Sequence, residues 1–239
     1  MGELAAAPGP ASHGSWRWRE LLGLVLLGFA MLALWQVPML GWLVYPFRLF
    51  GTFVHELSHG MAAVATGGDF VRFSVHADLS GLAWSAGGSR WIVASAGYVG
   101  SAAFGGLLLL LAARGVSGRI LLTVLGAALL VLSLLYVRNV FGIASGLGLS
   151  ALLILAGARL RAAWADALLW VLALQALLDG FNSLFVVWNL SGDSSVQTDA
   201  HTMATLTGLP AGLWVGAWVA LSLLVLLMIV RLAYRRGAR

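Results

Sequence analysis

Seven apolar stretches of about 20 residues recur along the chain, over residues 21–37, 43–66, 91–113, 120–137, 140–158, 167–190 and 213–230. Each is about long enough, as a helix, to cross a hydrocarbon core of ~30 Å. A water-soluble domain of this length has no interior large enough to hide them all. The composition agrees: 61% of the residues are hydrophobic, 10% are charged, and the mean hydropathy is +0.94. The expected fold class is therefore an all-α polytopic membrane protein with six to seven transmembrane helices. The first run begins only after some twenty residues and is about a full span long, so it reads as a retained helix and not as a cleaved signal peptide.

The few charges decide orientation and partners. All fourteen basic residues are arginine, and the formal net charge is +5. No arginine-rich face with interleaved aromatics occurs, which favours anionic lipid headgroups over nucleic acid as the partner of this charge. Residues 1–15 are rich in Ala, Gly and Pro and are expected to form a disordered tail, with Trp16, Arg17, Trp18 and Arg19 as an interfacial anchor that keeps the N-terminus in the cytoplasm. Arg231, Arg235, Arg236 and Arg239 argue for a cytoplasmic C-terminus too, whereas seven crossings would separate the ends. Six crossings, with one run re-entrant or broken, reconcile the two. The expected organisation is a tail and anchor over 1–20, one transmembrane domain over 21–233, and a basic tail over 234–239. Gly97, Gly100, Gly105 and Gly106, and then Gly142, Gly146 and Gly148, read as small residues that let helices approach closely.

Against this apolar background stands FVHELSHGMAAVATGG, residues 53–68. On a helix, His55 and His59 are four apart and share a face, so both can offer ring nitrogens to one zinc ion. Glu56 is rotated by about 100° and reaches a water at that metal as a general base, later passing the proton to a leaving amine. Zinc lowers the pKa of such a water to about 7 and polarises a carbonyl, so the spacing suits amide hydrolysis. With five His and three Glu in the chain, a random match to HExxH is expected about once in a thousand such sequences. A carboxylate at membrane depth costs ~3 kcal/mol on insertion scales and is normally retained for function.

Two histidines leave room for a third protein ligand and a water. The chain has no cysteine, so that ligand must be His, Asp or Glu. Two aspartates compete. Asp179 lies deep inside an apolar run, and Gln175, Asp179, Asn182 and Asn189 draw one polar stripe along it that must face a cavity or protein. Asp199 lies in the polar segment between the last two runs, where Thr198 or Asp199 also reads as the N-cap of a short helix ending near Gly208, Leu209 and Pro210. Burial favours Asp179 slightly. His201 reads as an interfacial side chain and His76 as a hairpin one.

Between Gly67 and Arg90 the helical period stops. Phe70, Val71, Arg72, Phe73, Ser74, Val75, His76 and Ala77, turn residues 78–81, and then Leu82, Ala83, Trp84 and Ser85 read as a short β-hairpin over 70–85. An open sheet edge cannot face lipid, so the hairpin is expected at the interface or against the helices and their cavity. There it offers an edge on which an extended substrate strand can pair.

These motifs resemble the site-2 protease family of membrane-embedded zinc metallopeptidases, which cut substrates within or next to the bilayer. HELSH resembles its HExxH helix, and Leu178, Asp179 and Gly180 resemble its L-D-G motif, whose aspartate is that family's third ligand. The chain looks more like a compact branch, with a Gly-Gly turn after HELSH, an AGYxG stretch at 96–100, the Arg138 and Asn139 pair, and Thr198, Asp199 and Ala200 followed by Thr207, Pro210 and Trp214. The Asn and Pro that usually precede L-D-G are missing before Asp179, and the branch pattern makes Asp199 its rival. The resemblance covers roughly residues 47–214 and leaves no room for the PDZ domain of many bacterial relatives. It implies one zinc ion per chain, membrane-anchored protein substrates, and the plasma membrane of a bacterium. The alternative from a different class is a non-catalytic metal-binding membrane scaffold or transporter. Glu56 separates the two, because a pure ion site needs no carboxylate that is a base and not a ligand.

Overall fold

A computed structural model describes residues 18–37, 40–193 and 195–235. The expected N-terminal tail, the Trp16 and Arg17 half of the anchor, and Arg236 and Arg239 lie outside the described residues. Among the described residues the order is α1 (Trp18–Gln36), α2 (Gly41–Ala65), β1 (Asp69–Val75), β2 (Gly81–Ala86), α3 (Arg90–Ala113), α4 (Gly118–Tyr136), α5 (Val140–Arg159), α6 (Ala162–Leu190), α7 (Asp199–Thr207) and α8 (Ala211–Arg235). Five of these helices, α3, α4, α5, α6 and α8, are long and apolar enough to cross a membrane. The chain is thus a multi-pass, all-α membrane protein with one small hairpin. Phe29, Ile120, Leu152 and Leu227 point outwards, the usual state of apolar side chains whose solvent is hydrocarbon.

The glycine-rich runs do what their composition implies. A Cβ at Gly105 of α3 would lie 2.7 Å from the Leu177 nitrogen of α6, and one at Gly126 of α4 would lie 2.8 Å from the Ser150 oxygen of α5. Backbones therefore touch across both helix pairs. Gly148 is different: open space surrounds it. Side chains seal the ends of this packing, since Asp166 of α6 accepts from the Gly118 nitrogen at the start of α4, at 2.7 Å. Arg119 donates to the Gly157 and Ala158 oxygens at the end of α5, supplying donors that a helix terminus lacks.

The hairpin is held from both sides. Helix α2 stops in a Schellman turn: Gly67 has φ 83°, and the amides of Gly67 and Gly68 return to the Val64 and Ala63 oxygens. Strand β1 then pairs antiparallel with β2, with Phe70 opposite Ser85 and Arg72 opposite Trp84, so Val71 is the extra residue of a β-bulge. The bulge turns both Phe70 and Phe73 inwards, where they join Phe53 and Leu129 in the core. On its other side β1 meets the α4–α5 connection. Phe73 forms a parallel bridge with Val137, the Arg138 amide donates to the Phe73 oxygen, and the Asn139 side chain both accepts from the Val75 nitrogen and donates to its oxygen. The Arg138 and Asn139 pair therefore imitates a third strand. Both edges of β1 are occupied, whereas among the described residues no strand covers the outer edge of β2.

Candidate metal centre

One face of α2 carries Arg48, Thr52, His55 and His59 at helical spacing, with Glu56 beside them, and all five line a cavity of ≈ 840 Å³. The Nε2 atoms of His55 and His59 are 3.1 Å apart. His59 Nδ1 lies 2.6 Å from the Val93 oxygen. A carbonyl only accepts, so Nδ1 is the donor there, and Nε2 is the ring nitrogen that faces His55 and is placed to ligate a metal.

The carboxylate that meets these rings is that of Asp199. Its Oδ2 lies 3.5 Å from His59 Nε2 and 3.9 Å from His55 Nε2, and one ligand atom from each of the three residues falls within 4.8 Å of the others. Local structure explains why Asp199 is available. Thr198 takes the N-cap of α7 and accepts from the His201 amide, and Gly208 closes the helix in the left-handed region at φ 73°. Freed of capping, Asp199 projects from the first turn toward α2.

Asp179 occupies the same cavity, but with different partners. Its Oδ1 faces Arg48 Nε at 3.6 Å, and its Oδ2 accepts from Gln175 Nε2 at 3.1 Å. It rests on Gly51, one helical turn before His55. From α6 the cavity wall comprises Asp179, Gly180, Ser183, Val186 and Val187. The expected stripe is only partly realised there, because Gln175 is fully buried behind Asp179 and Asn182 is half-buried outside the lining. Ser183, four residues beyond Asp179, shares its face better than Asn182, three beyond.

The donor set fits a metal ion. Two imidazole nitrogens and one carboxylate oxygen form the set that suits zinc, and Gly97 of α3 supplies their cradle, since a Cβ there would press on both His55 Nε2 and His59 Nε2. Gly97 therefore does more than let helices approach. Glu56 stands at the wall, only 5% exposed, with the first residue of β2 against it: a Cβ at Gly81 would collide with the Glu56 carboxylate. The hairpin tip is fixed over α2, because Thr52 donates to the Leu79 oxygen and Tyr45 to the Ala77 oxygen. At the rim, hydrogen bonds from the Ser80 hydroxyl and amide hold the Asp78 carboxyl below its usual range.

Two participants escaped the sequence reading. Arg48 sits seven residues before His55, a spacing that signals a shared helix face. Gly81 and its approach to Glu56 leave no sequence signal at all.

Fold and site together define a polytopic membrane protein with an HExxH helix whose histidines face an aspartate from a distant segment. The family model for peptidase M50B-like proteins matches residues 24–229, and the chain belongs to that family, a branch of the site-2 proteases. It is accordingly a membrane peptidase of the metallopeptidase type by family. No curated protein and no solved structure matches the chain.

Proposed function

We propose that this protein is a zinc-dependent intramembrane endopeptidase that hydrolyses peptide bonds of membrane-anchored proteins, with His55, His59 and Asp199 as ligands of one zinc ion per chain and Glu56 as general base. The observation that carries this reading is the convergence of three donor atoms beside a buried carboxylate in one cavity. Zinc held by this set supplies Lewis acidity toward a carbonyl oxygen and makes a water a nucleophile at neutral pH. Glu56 takes the proton of the attacking water on its carboxylate and delivers it to the leaving amine. Its enclosure by Gly81 keeps bulk water away and limits the directions from which a substrate carbonyl arrives.

The outer edge of β2 gives that substrate its orientation. Gly81, Leu82, Ala83 and Ser85 line the cavity, so an unwound substrate segment that adds to this edge runs past Glu56 with its backbone already paired. In the same reading, residues 21–233 form one peptidase domain, and the protein sits in a bacterial plasma membrane with its N-terminus in the cytoplasm.

The test is Glu56→Gln in detergent-purified full-length protein, with zinc content and cleavage of a reporter membrane substrate measured together. Retained zinc with cleavage lost supports the proposal. Unchanged cleavage, or a wild-type protein that takes up no zinc, would sink it.

A further inference from the structure

The edge that β2 offers to a substrate ends at Gly81, the first residue of the strand. The backbone groups of the hairpin tip before it are already engaged. The Ser80 amide donates to Asp78 Oδ1, and the Ser80 oxygen accepts from the His76 amide. The Leu79 amide donates to the His76 oxygen, and the Leu79 oxygen accepts from Thr52. Glu56, the proposed base, stands against Gly81, so the bond to be cut lies at the end of the pairing edge. On one side of that bond the substrate main chain runs along β2. On the other it enters the cavity with no strand beside it among the described residues, and its carbonyls need donors there, because a backbone group left unsatisfied away from water is costly.

The donor at that end is Arg48. It lies one helical turn before Thr52 on the same face of α2, and with Asp179 it lines the cavity beyond the tip. Asp179 Oδ1 faces Arg48 Nε at 3.6 Å, Asp179 Oδ2 accepts from Gln175 Nε2 at 3.1 Å, and Gln175 is fully buried. Two residues of α6 thus hold the guanidinium in place, while the Arg48 side chain keeps 34% exposure. A guanidinium carries five N–H donors, more than one carboxylate takes up, so it can serve an ion pair and a visiting carbonyl together. Stability alone is a weak reason for the pair, because apolar residues of similar volume often replace a buried ion pair without loss.

We propose that Arg48 is a substrate-binding residue, whose guanidinium donates to main-chain carbonyls on the side of the scissile bond that β2 does not reach, with Asp179 and Gln175 holding it there. The proposal rests on the peptidase reading above and deepens it by naming the subsite that takes over where the strand edge ends. Its ligand is the main chain of an unwound peptide and not an acidic side chain. Asp179 already neutralises the cation, and a second carboxylate brought to the same place would meet a like charge.

The experiment is steady-state cleavage, by full-length protein in detergent, of a reporter membrane substrate whose cleavage site has been mapped by mass spectrometry. It compares wild type, Arg48→Lys, and Arg48→Met combined with Asp179→Asn, with zinc content and thermal unfolding measured alongside. The double variant removes the cation and its counter-charge together and so strands no buried carboxylate. Losing a charge-assisted hydrogen bond to substrate is expected to raise its KM by about 10–100-fold with zinc content unchanged. Arg48→Lys keeps a cation opposite Asp179 without the planar fork. It is expected to unfold as wild type does and to show a smaller rise in KM, and it carries the test if the double variant does not fold. The rise is expected to be the same when the second and third residues on either side of the scissile bond are changed to alanine, aspartate or lysine. Wild-type KM in the folded variants overturns the subsite and leaves the peptidase standing. A rise confined to aspartate-bearing reporters also overturns it, since that marks recognition of an acidic side chain. So does a fall in kcat and zinc content at unchanged KM, which marks a structural role. If the wild-type protein does not cleave the reporter, the peptidase reading itself fails and the subsite falls with it.

Discussion

Asp179 and Asp199 share a cavity and answer to different neighbours. Asp179 sits in a 29-residue apolar helix, its side chain 13% exposed, and meets a cation from α2. Asp199 begins a 9-residue helix, its side chain is 30% exposed, and it meets two imidazoles from the same α2. The more buried carboxylate is the one that already has an arginine and an amide. Burial thus says that a charge requires a partner, and geometry alone says which partner.

One glycine lies against the histidines that Asp199 meets and another against Asp179 itself, and that pair allows the sharpest contrast. A Cβ at Gly97 would press on both histidine Nε2 atoms, whereas one at Gly51 would reach Asp179 Oδ2 at 2.8 Å. Gly97→Ala is expected to weaken zinc binding by about 100-fold or more, beyond the cost of losing a ligand's hydrogen-bond partner. Gly51→Ala is expected to leave zinc binding within about threefold of wild type, a free-energy change below about 0.7 kcal/mol. Equal losses in the two variants, read by chelator competition, would erase the distinction.

Gly81→Ala probes the same centre from the hairpin side. With the added methyl group directed at Glu56, turnover is expected to fall by about 100-fold, as a misplaced catalytic group typically produces, while zinc stoichiometry holds. Cleavage of a reporter substrate alongside metal analysis separates the two effects.

On the Asp179 side the expected phenotype is stability. Arg48→Met removes the guanidinium and leaves a buried carboxylate uncompensated, which full burial would make cost about 3–5 kcal/mol. Arg48 is 34% exposed, so solvent screening reduces the expected loss to about 1–3 kcal/mol. Adding Asp179→Asn is expected to restore part of it. Thermal unfolding of the single and double variants in detergent reads this out, and restoration of zinc binding instead would contradict the assignment of roles. An effect of similar size on stability belongs to Asn139→Leu, which removes two hydrogen bonds to Val75. A loss of about 1–3 kcal/mol is expected if Val75 goes unsatisfied, with proteolysis of the hairpin increased and zinc content unchanged.

Much of this was legible in the sequence because it is local. The spacing of His55, Glu56 and His59 fixes their shared face, the alternation from Phe70 onward gives the hairpin, and Thr198 with Gly208 delimits α7. The third member of the donor set was not, and Asp179 and Asp199 stayed open. Which aspartate reaches the histidines of α2 depends on how α7 docks on α3 and α8, a matter of packing between residues far apart in the chain. Gly97 shows the same limit in reverse: a small residue on a helix reads as a packing position, and only the fold reveals that imidazoles occupy the space it leaves. Arg48 was passed over although its seven-residue offset from His55 signals the shared face, and its ion pair with Asp179 leaves no sequence signal.

The most direct measurement is the zinc content of purified wild-type, Asp199→Asn and Asp179→Asn proteins, compared side by side after equilibration with one zinc concentration. The account predicts one zinc ion per chain in wild type and Asp179→Asn, and loss of that ion in Asp199→Asn. Zinc retained by Asp199→Asn and lost from Asp179→Asn would contradict it.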